Sequence, residues 1–184
     1  MVDFSQPPRL TLVKAGCRPW VLTRMLTDFR KALGCFATGV TVVTTRDAGG
    51  APVGLAVNSF ASVSMDPPLV SFCIAHDARS WAAFRRSAHF AVNIIDARQL
   101  PLVQRFASRR DDKFDGVAIE CWASGAPILQ GAYANLECER YAIHEAGDHW
   151  IVLGRVKQLK YDHNCEPLVF SRGQFGLFQS FPEP

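Results

Sequence analysis

Residues 56 to 64, AVNSFASVS, gather Asn58, Ser59, Ser62 and Ser64 behind an apolar alternation and ahead of Asp66-Pro67-Pro68. Hydroxyls and backbone N–H groups in a tight bend after a strand suit an anion such as a phosphate. The same residue types also crowd ordinary turns, and taken alone the segment reads as a turn. A second group is Gly147-Asp148-His149. It offers an imidazole beside a carboxylate, yet a histidine after a Gly-Asp turn is often a turn residue and no more. Neither paired carboxylates nor a nucleophile-base-acid set stands out, so the chemistry on offer is binding and positioning rather than strong acid-base work. His76, His89, His144 and His163 stand singly without ligand spacing, and the six cysteines form no C-x-x-C pair, so no metal site is expected. Trp81, Trp122 and Trp150 fall in or beside apolar runs and are assigned to the core.

The elements that must hold these residues fit in one domain. The chain has 184 residues, 48% of them apolar, which is enough for a substantial core. Its net charge of +3 is dispersed; the strongest runs are Arg85-Arg86 and Arg109-Arg110, the latter followed by Asp111-Asp112. Nucleic-acid binding needs a concentrated basic face, so it is not expected, and solvation is the default role of Arg109 and Arg110. No apolar run approaches the roughly 20 residues that span a bilayer. The N-terminal segment carries Asp3, Arg9, Lys14 and Arg18 where a secretory core would lie. The expectation is a cytoplasmic protein with reduced thiols and no membrane association.

Along the chain, residues 1–26 show no clear period and read as an N-terminal arm, or as an extension packed through Leu10, Leu12, Trp20 and Leu22, ahead of a domain over 27–184. Thr27 is a candidate cap for a short amphipathic helix bearing Phe29, Leu33 and Phe36 and ending near Gly39. VTVVTTR and PVGLAV form a hairpin across Asp47-Ala48-Gly49-Gly50, and PLVSFCIA (68–75) is a buried strand. Asp77 or Ser80 is placed to cap a helix carrying Trp81 and Phe84. HFAVNII is a strand, and a further helix starts near Gln99 with Pro101 in its first turn. Residues 108–116 form a charged loop and 117–131 read as irregular. The C-terminal third, with strands at 133–141, 149–161, 167–171 and 174–178, is β-rich. No strand-helix alternation marks a parallel sheet, so the expected architecture is mainly β with short helices, an antiparallel barrel whose closure removes its edges.

The ordered run ALGCFATGVTVVTT, GLAVNSFASVSMDPPLVSFCI, RSWAAF, FAVNII, RFA, KF, GAPIL, GDHWIVLGRV and PLVFSRGQF resembles the flavin-reductase-like family. It is most similar to the small reductases that feed reduced flavin to two-component monooxygenases, over about residues 27–178. The resemblance implies a split β-barrel of the FMN-binding type, a homodimer with flavin near the subunit interface, and reduction of FMN or FAD by NADH or NADPH for a separate monooxygenase. By motif, it puts Thr38 and Gly39 beside the isoalloxazine, and Val57, Asn58, Ser59 and Phe60 along the ring and ribityl chain. Ser62 and Ser80 would contact phosphate, while Phe106, Lys113 and Phe114 would flank the rest of the cofactor. His149 would stand next to the nicotinamide, with Arg172 near the same pocket. Ala56 replaces a common Thr, which removes one possible flavin hydrogen bond, and Cys35 replaces a larger polar residue and is read as a packing substitution on a partly buried helix. A non-catalytic flavin carrier or sensor is the alternative, followed by another split-barrel oxidase or a corrinoid-linked reductase. The Gly-Asp-His and C-terminal motifs favour the reductase, because a carrier needs no nicotinamide pocket. No arginine is placed to hold a nicotinamide 2′-phosphate, so NADH is the favoured donor.

Overall fold

The computed structural model describes residues 19–181, and the chain divides after Phe36 into two compact units. In the first, helix α1 spans Pro19–Gly34. The helix therefore runs across the expected boundary at residue 26, and Thr27 lies inside it rather than capping it. Proline at the first helical position forfeits no hydrogen bond, and glycine at the last residue suits a helix end. Residues 38 and 39 are drawn into a sheet instead, which ends the helix short of Gly39. Phe29 and Leu33 mark an apolar stripe that is exposed, as is Phe36 beyond it. Cys35 is past the helix end and exposed, so the packing role expected for it does not hold. Residues 1–18, with Leu10 and Leu12, lie outside the described residues.

The second unit is built from β1 (Thr38–Gly39), β2 (Thr41–Arg46), β3 (Pro52–Val57), β4 (Ala61–Met65) and β5 (Pro68–Ala75), then α2 (Trp81–Arg86) and β6 (His89–Ile94). A 3-10 turn at Ala97–Gln99 leads into α3 (Leu100–Ala107), followed by β7 (Ile119–Cys121), β8 (Pro127–Leu129), β9 (Ala134–Ala146), β10 (His149–Tyr161), β11 (Leu168–Ser171) and β12 (Gln174–Leu177). Seven strands form one antiparallel sheet in the order β3-β2-β6-β9-β10-β5-β4, with β1-β11-β12 and β7-β8 as smaller sheets.

The sheet's two end strands, β3 and β4, are joined only by Asn58, Ser59 and Phe60. Such a link spans at most about 14 Å, whereas six interstrand gaps of a flat sheet would measure about 29 Å. The sheet must therefore curl until its ends approach, and β3 does come up against β5. This is a split barrel, mainly β with short helices.

Inside the curl, Val43, Phe72, Ile74, Phe84, Phe90, Val92, Cys138 and Val152 form the main core, with Phe72 edge-on to Phe84 and Phe90. A second cluster, Val42, Ile95, Val103, Phe106, Leu129 and Leu168, fills the space outside β2 beneath α3. Strand β2 is buried on both faces, which explains its unbroken β-branched run. The α3 start agrees with expectation, Pro101 standing in its first turn. Ser80 occupies the N-cap position of α2 but makes no side-chain cap bond. Trp81 stacks on Trp150 and both pack against the main core. Burial pushes the Cys138 thiol up to about 12, with Glu137 adding to the shift, so that thiol is inert packing.

Two stretches differ from the sequence expectation. Residues 117–131 contain the β7-β8 pair, held from outside: Asn93 Oδ1 accepts from Leu129 N at 2.9 Å and from Asn135 Nδ2 at 2.8 Å. Residues 61–65 are the edge strand β4 rather than a bend. Three-residue strands and a largely exposed edge strand carry no readable alternation.

Candidate functional site

The site grows from strand β3, whose two ends meet different surroundings. At its C-terminal end, Thr41 Oγ1 donates to the Val57 carbonyl at 3.1 Å. Beyond it, the Cys73 amide donates to Ser59 Oγ at 2.9 Å, so the 58–60 link is fastened to β5. Val57 and Phe60 pack against the main core. Thr38 and Gly39 lie just ahead of β2, paired with Phe170 and Val169 of β11. Arg172 stands in the turn between β11 and β12 at φ 51, followed by Gly173 at φ 78, a left-handed pair that closes a tight hairpin. One sheet thus carries Thr38, Gly39 and Arg172. Thr38 Oγ1 is buried without a hydrogen-bond partner. A buried hydroxyl left unpaired is costly unless a ligand satisfies it.

Along its outer face β3 borders a cleft of about 510 Å³. Four of the expected residues line it together: Ser80, Phe106, Lys113 and Phe114. Phe106 and Phe114 meet edge-to-face with ring centroids 4.9 Å apart. Gly54 makes this wall possible, because a Cβ there would lie 2.7 Å from Phe106 Cε1. Ala56 lines the same cleft. Lys113 Nζ donates to the Phe106 carbonyl at 2.9 Å, and burial together with the Arg79 charge lowers its pKa.

Arg79, Arg109 and Arg110 also border the cleft. Arg79 crosses from one wall to the other, donating to the Arg109 carbonyl at 2.8 Å and to Asp111 Oδ1 at 2.9 Å. Arg110 is taken by Asp112, whose carboxyl it holds down at about 2. Sequence reasoning passed over Arg79 and Gly54. The signals were present, an arginine just ahead of Ser80 and a glycine inside a strand, but only the fold shows what each faces.

Besides Thr38, Gly39 and Val57–Phe60, three more expected residues do not join the cleft. Ser62 is on β4, exposed and opposite Val70, so it does not share a binding surface with Ser80 within this chain. Arg172 stays with the β1-β11-β12 sheet. His149 opens β10 opposite Ala75, the last residue of β5, from which the 76–80 segment leads to Ser80. Its Nδ1 lies 2.7 Å from Asp148 Oδ1, and this hydrogen bond lowers the Asp148 pKa. The His149 carbonyl in turn meets His76 Nε2 at 3.2 Å.

The donor set fits a flavin nucleotide: an orphaned hydroxyl on β1, an apolar wall at the Val57 end of β3, and free hydroxyl and cationic groups with an aromatic wall in the cleft that β3 lines. Among the described residues no cluster of metal-ligating side chains occurs.

Residues 33–178 match the flavin reductase like domain. The chain is 46% identical over 147 residues to the reductase subunit of a flavin-dependent monooxygenase from Rhodococcus jostii, covering 80% of this chain and 75% of that one. It is 45% identical over 151 residues to an FMN reductase (NADH) from Agrobacterium fabrum, covering 82% and 85%. The solved NADH:FAD oxidoreductase from Streptomyces globisporus, in complex with NAD and FAD fragments, superposes with a TM-score of 0.80 at 38% identity, covering 85% and 94%. With the motifs, the split barrel and the match over most of its length in agreement, the chain belongs to the flavin-reductase-like family.

Proposed function

We propose that the chain is an NAD(P)H:flavin oxidoreductase that reduces FMN or FAD and supplies reduced flavin to a separate monooxygenase. The observation that carries this reading is the continuity of β3, which leads from the Val57–Phe60 wall to the basic cleft, so that one strand serves both the ring and the phosphate end of a nucleotide; the unpartnered Thr38 hydroxyl on β1 adds a polar group for the ring.

When bound, a flavin would supply N5 as the acceptor for a hydride, one hydrogen with its electron pair, from the nicotinamide C4. The protein's share is positioning: reacting atoms must come within about 3–3.5 Å with competing water excluded. The Thr41 and Ser59 bonds hold the backbone of 57–60 still, and Val57 and Phe60 present an apolar surface to the ring. Ser80 and Lys113 hold phosphate. His149, oriented by Asp148, borders the nicotinamide, and Arg172 serves the same pocket from the hairpin turn. Relatives named for NADH as donor support NADH here.

The protein acts as a homodimer in this reading. Strand β4 supports it, being an edge strand with no charged residue that leaves Val63 50% and Met65 89% exposed, surface that a second copy would cover. The free thiols of Cys35, Cys73, Cys121, Cys138 and Cys165 accord with a cytoplasmic setting. Among the described residues no helix is long and apolar enough to cross a membrane.

Mixing the purified chain with NADH and free FMN or FAD tests the activity: NADH consumption should exceed that of flavin alone, and a rate equal to that control would contradict the reading. His149→Ala should raise the KM for NADH more than the flavin Kd. Unchanged constants for NADH would remove His149 from the site.

A further inference from the structure

Building on the flavin-reductase reading, we propose that the cleft between β3 and α3 takes the adenylate half of a dinucleotide flavin, so that this chain selects FAD over FMN. Its relatives do not decide the matter, since one is named an FMN reductase and another an NADH:FAD oxidoreductase. The decision rests with this chain's own cleft.

Position is the first argument. Thr38, Gly39 and Val57–Phe60, the residues assigned to the ring, all lie outside the cleft, whereas Ser80, assigned to phosphate, lies in its wall. A mononucleotide flavin ends at that phosphate. The cleft is also lined by β3 from Pro52 to Ala56 and by the Phe106–Phe114 pair. Its volume of about 510 Å³ is far more than one phosphate fills and is of the size that small-molecule sites have. With FMN bound, the aromatic wall and the Pro52–Leu55 stretch would face water. An adenine ring covers both, since a purine offers a π-face to an aromatic side chain.

Charge is the second. Of the cleft's four cations, Arg79 is held by Asp111 and Arg110 by Asp112. Arg109 and Lys113 form no ion pair among the described residues, and Lys113 Nζ bonds only a backbone carbonyl. With Asp77 also in the wall and in no ion pair among the described residues, the cleft keeps a net positive charge that suits a phosphate group. A terminal monophosphate and a pyrophosphate both meet it, so the cations call for a phosphate group and the aromatic wall calls for the nucleoside beyond it. Gly54 is the third. By letting Phe106 lie directly on the strand it sinks the cleft floor, which a terminal phosphate at Ser80 does not require.

The test titrates FAD and FMN separately into the full chain, following flavin fluorescence without NADH. FAD should bind at least tenfold more tightly than FMN. Phe114→Ala and Arg109→Ala should each lower that ratio at least threefold, through weaker FAD binding. Thermal melts confirm folding, and the wild-type ratio needs no variant. Equal affinities, or a ratio that neither substitution moves, would overturn the proposal. So would variants that raise only the KM for NADPH, because the cleft would then hold a nicotinamide 2′-phosphate. If neither flavin binds nor stimulates NADH oxidation, the failure lies with the reductase reading itself.

Discussion

The two ends of β3 do their work by different physical means. At the Val57 end the chain is tied into the core: a threonine hydroxyl holds the Val57 carbonyl, a backbone amide holds Ser59, and Phe60 packs against the main apolar cluster. At the other end the cleft is walled by the charged loop around residues 108–113, pinned to the opposite wall by Arg79 and Asp111, whose side chains are 67% and 93% exposed. Exposed pairs of this kind are worth about 0–1 kcal/mol. The ring end is thus pre-formed, and the phosphate end is adaptable. Such a division suits an enzyme that must align two rings closely yet let its flavin leave.

Substitutions that strike one end and spare the other should separate the two behaviours. The largest effect is expected at the point where the cleft floor meets the core. Gly54→Val would force a side chain into Phe106 and toward the Val43 carbonyl, and overpacking of this kind costs about 1–3 kcal/mol. The urea midpoint should fall and FAD binding should weaken; an unchanged midpoint would mean that Phe106 moves freely. Next comes Ser59→Ala, which leaves the Cys73 amide without its acceptor at a cost of about 1 kcal/mol. Being at the ring end, it should weaken FMN and FAD alike, and a loss confined to one flavin would break the comparison.

The pH dependence is smaller and belongs to the cleft. Burial, then the Arg79 charge, lowers the Lys113 pKa, so the ammonium proposed to meet phosphate is lost as pH rises through a value below the ordinary lysine range. Flavin Kd measured against pH should therefore begin to rise on the alkaline side before a free lysine would titrate. In Lys113→Gln that early rise should vanish, and its persistence would assign it to another group. The smallest effect is expected from Asp111→Asn. Loss of an exposed bridge should change stability by less than about 1 kcal/mol, while flavin dissociation quickens modestly at low salt and not at high salt. A large, salt-independent change would show the loop to be as rigid as the ring end.

How much of this was legible beforehand follows the same physical line. The β2-β3 and β9-β10 hairpins, β5 and α3 were read from local patterns because their turn residues, Pro101 and apolar runs act at short range. The β7-β8 pair was not, because Asn93 and Asn135 hold it from distant strands. Strand β4 was read as a bend because serines on a sheet edge look the same as serines in a turn. Helix α1 was begun too late, since residues 19–26 carry no clear apolar period. In the site, the hydroxyl-rich segment and the Phe106–Phe114 region stood out by motif. The strand's division into a tied end and an open end did not, since it depends on Cys73, Phe106 and Arg79 arriving from three separate elements.

The central claim is that this chain holds flavin for direct hydride transfer at the Val57 end of β3. Anaerobic rapid mixing of NADH with the full chain carrying stoichiometric FAD tests it in a single turnover. The oxidised-flavin absorbance should bleach in one phase far faster than in a protein-free mixture, and more slowly in Ser59→Ala. Bleaching no faster than free flavin with NADH would contradict the account.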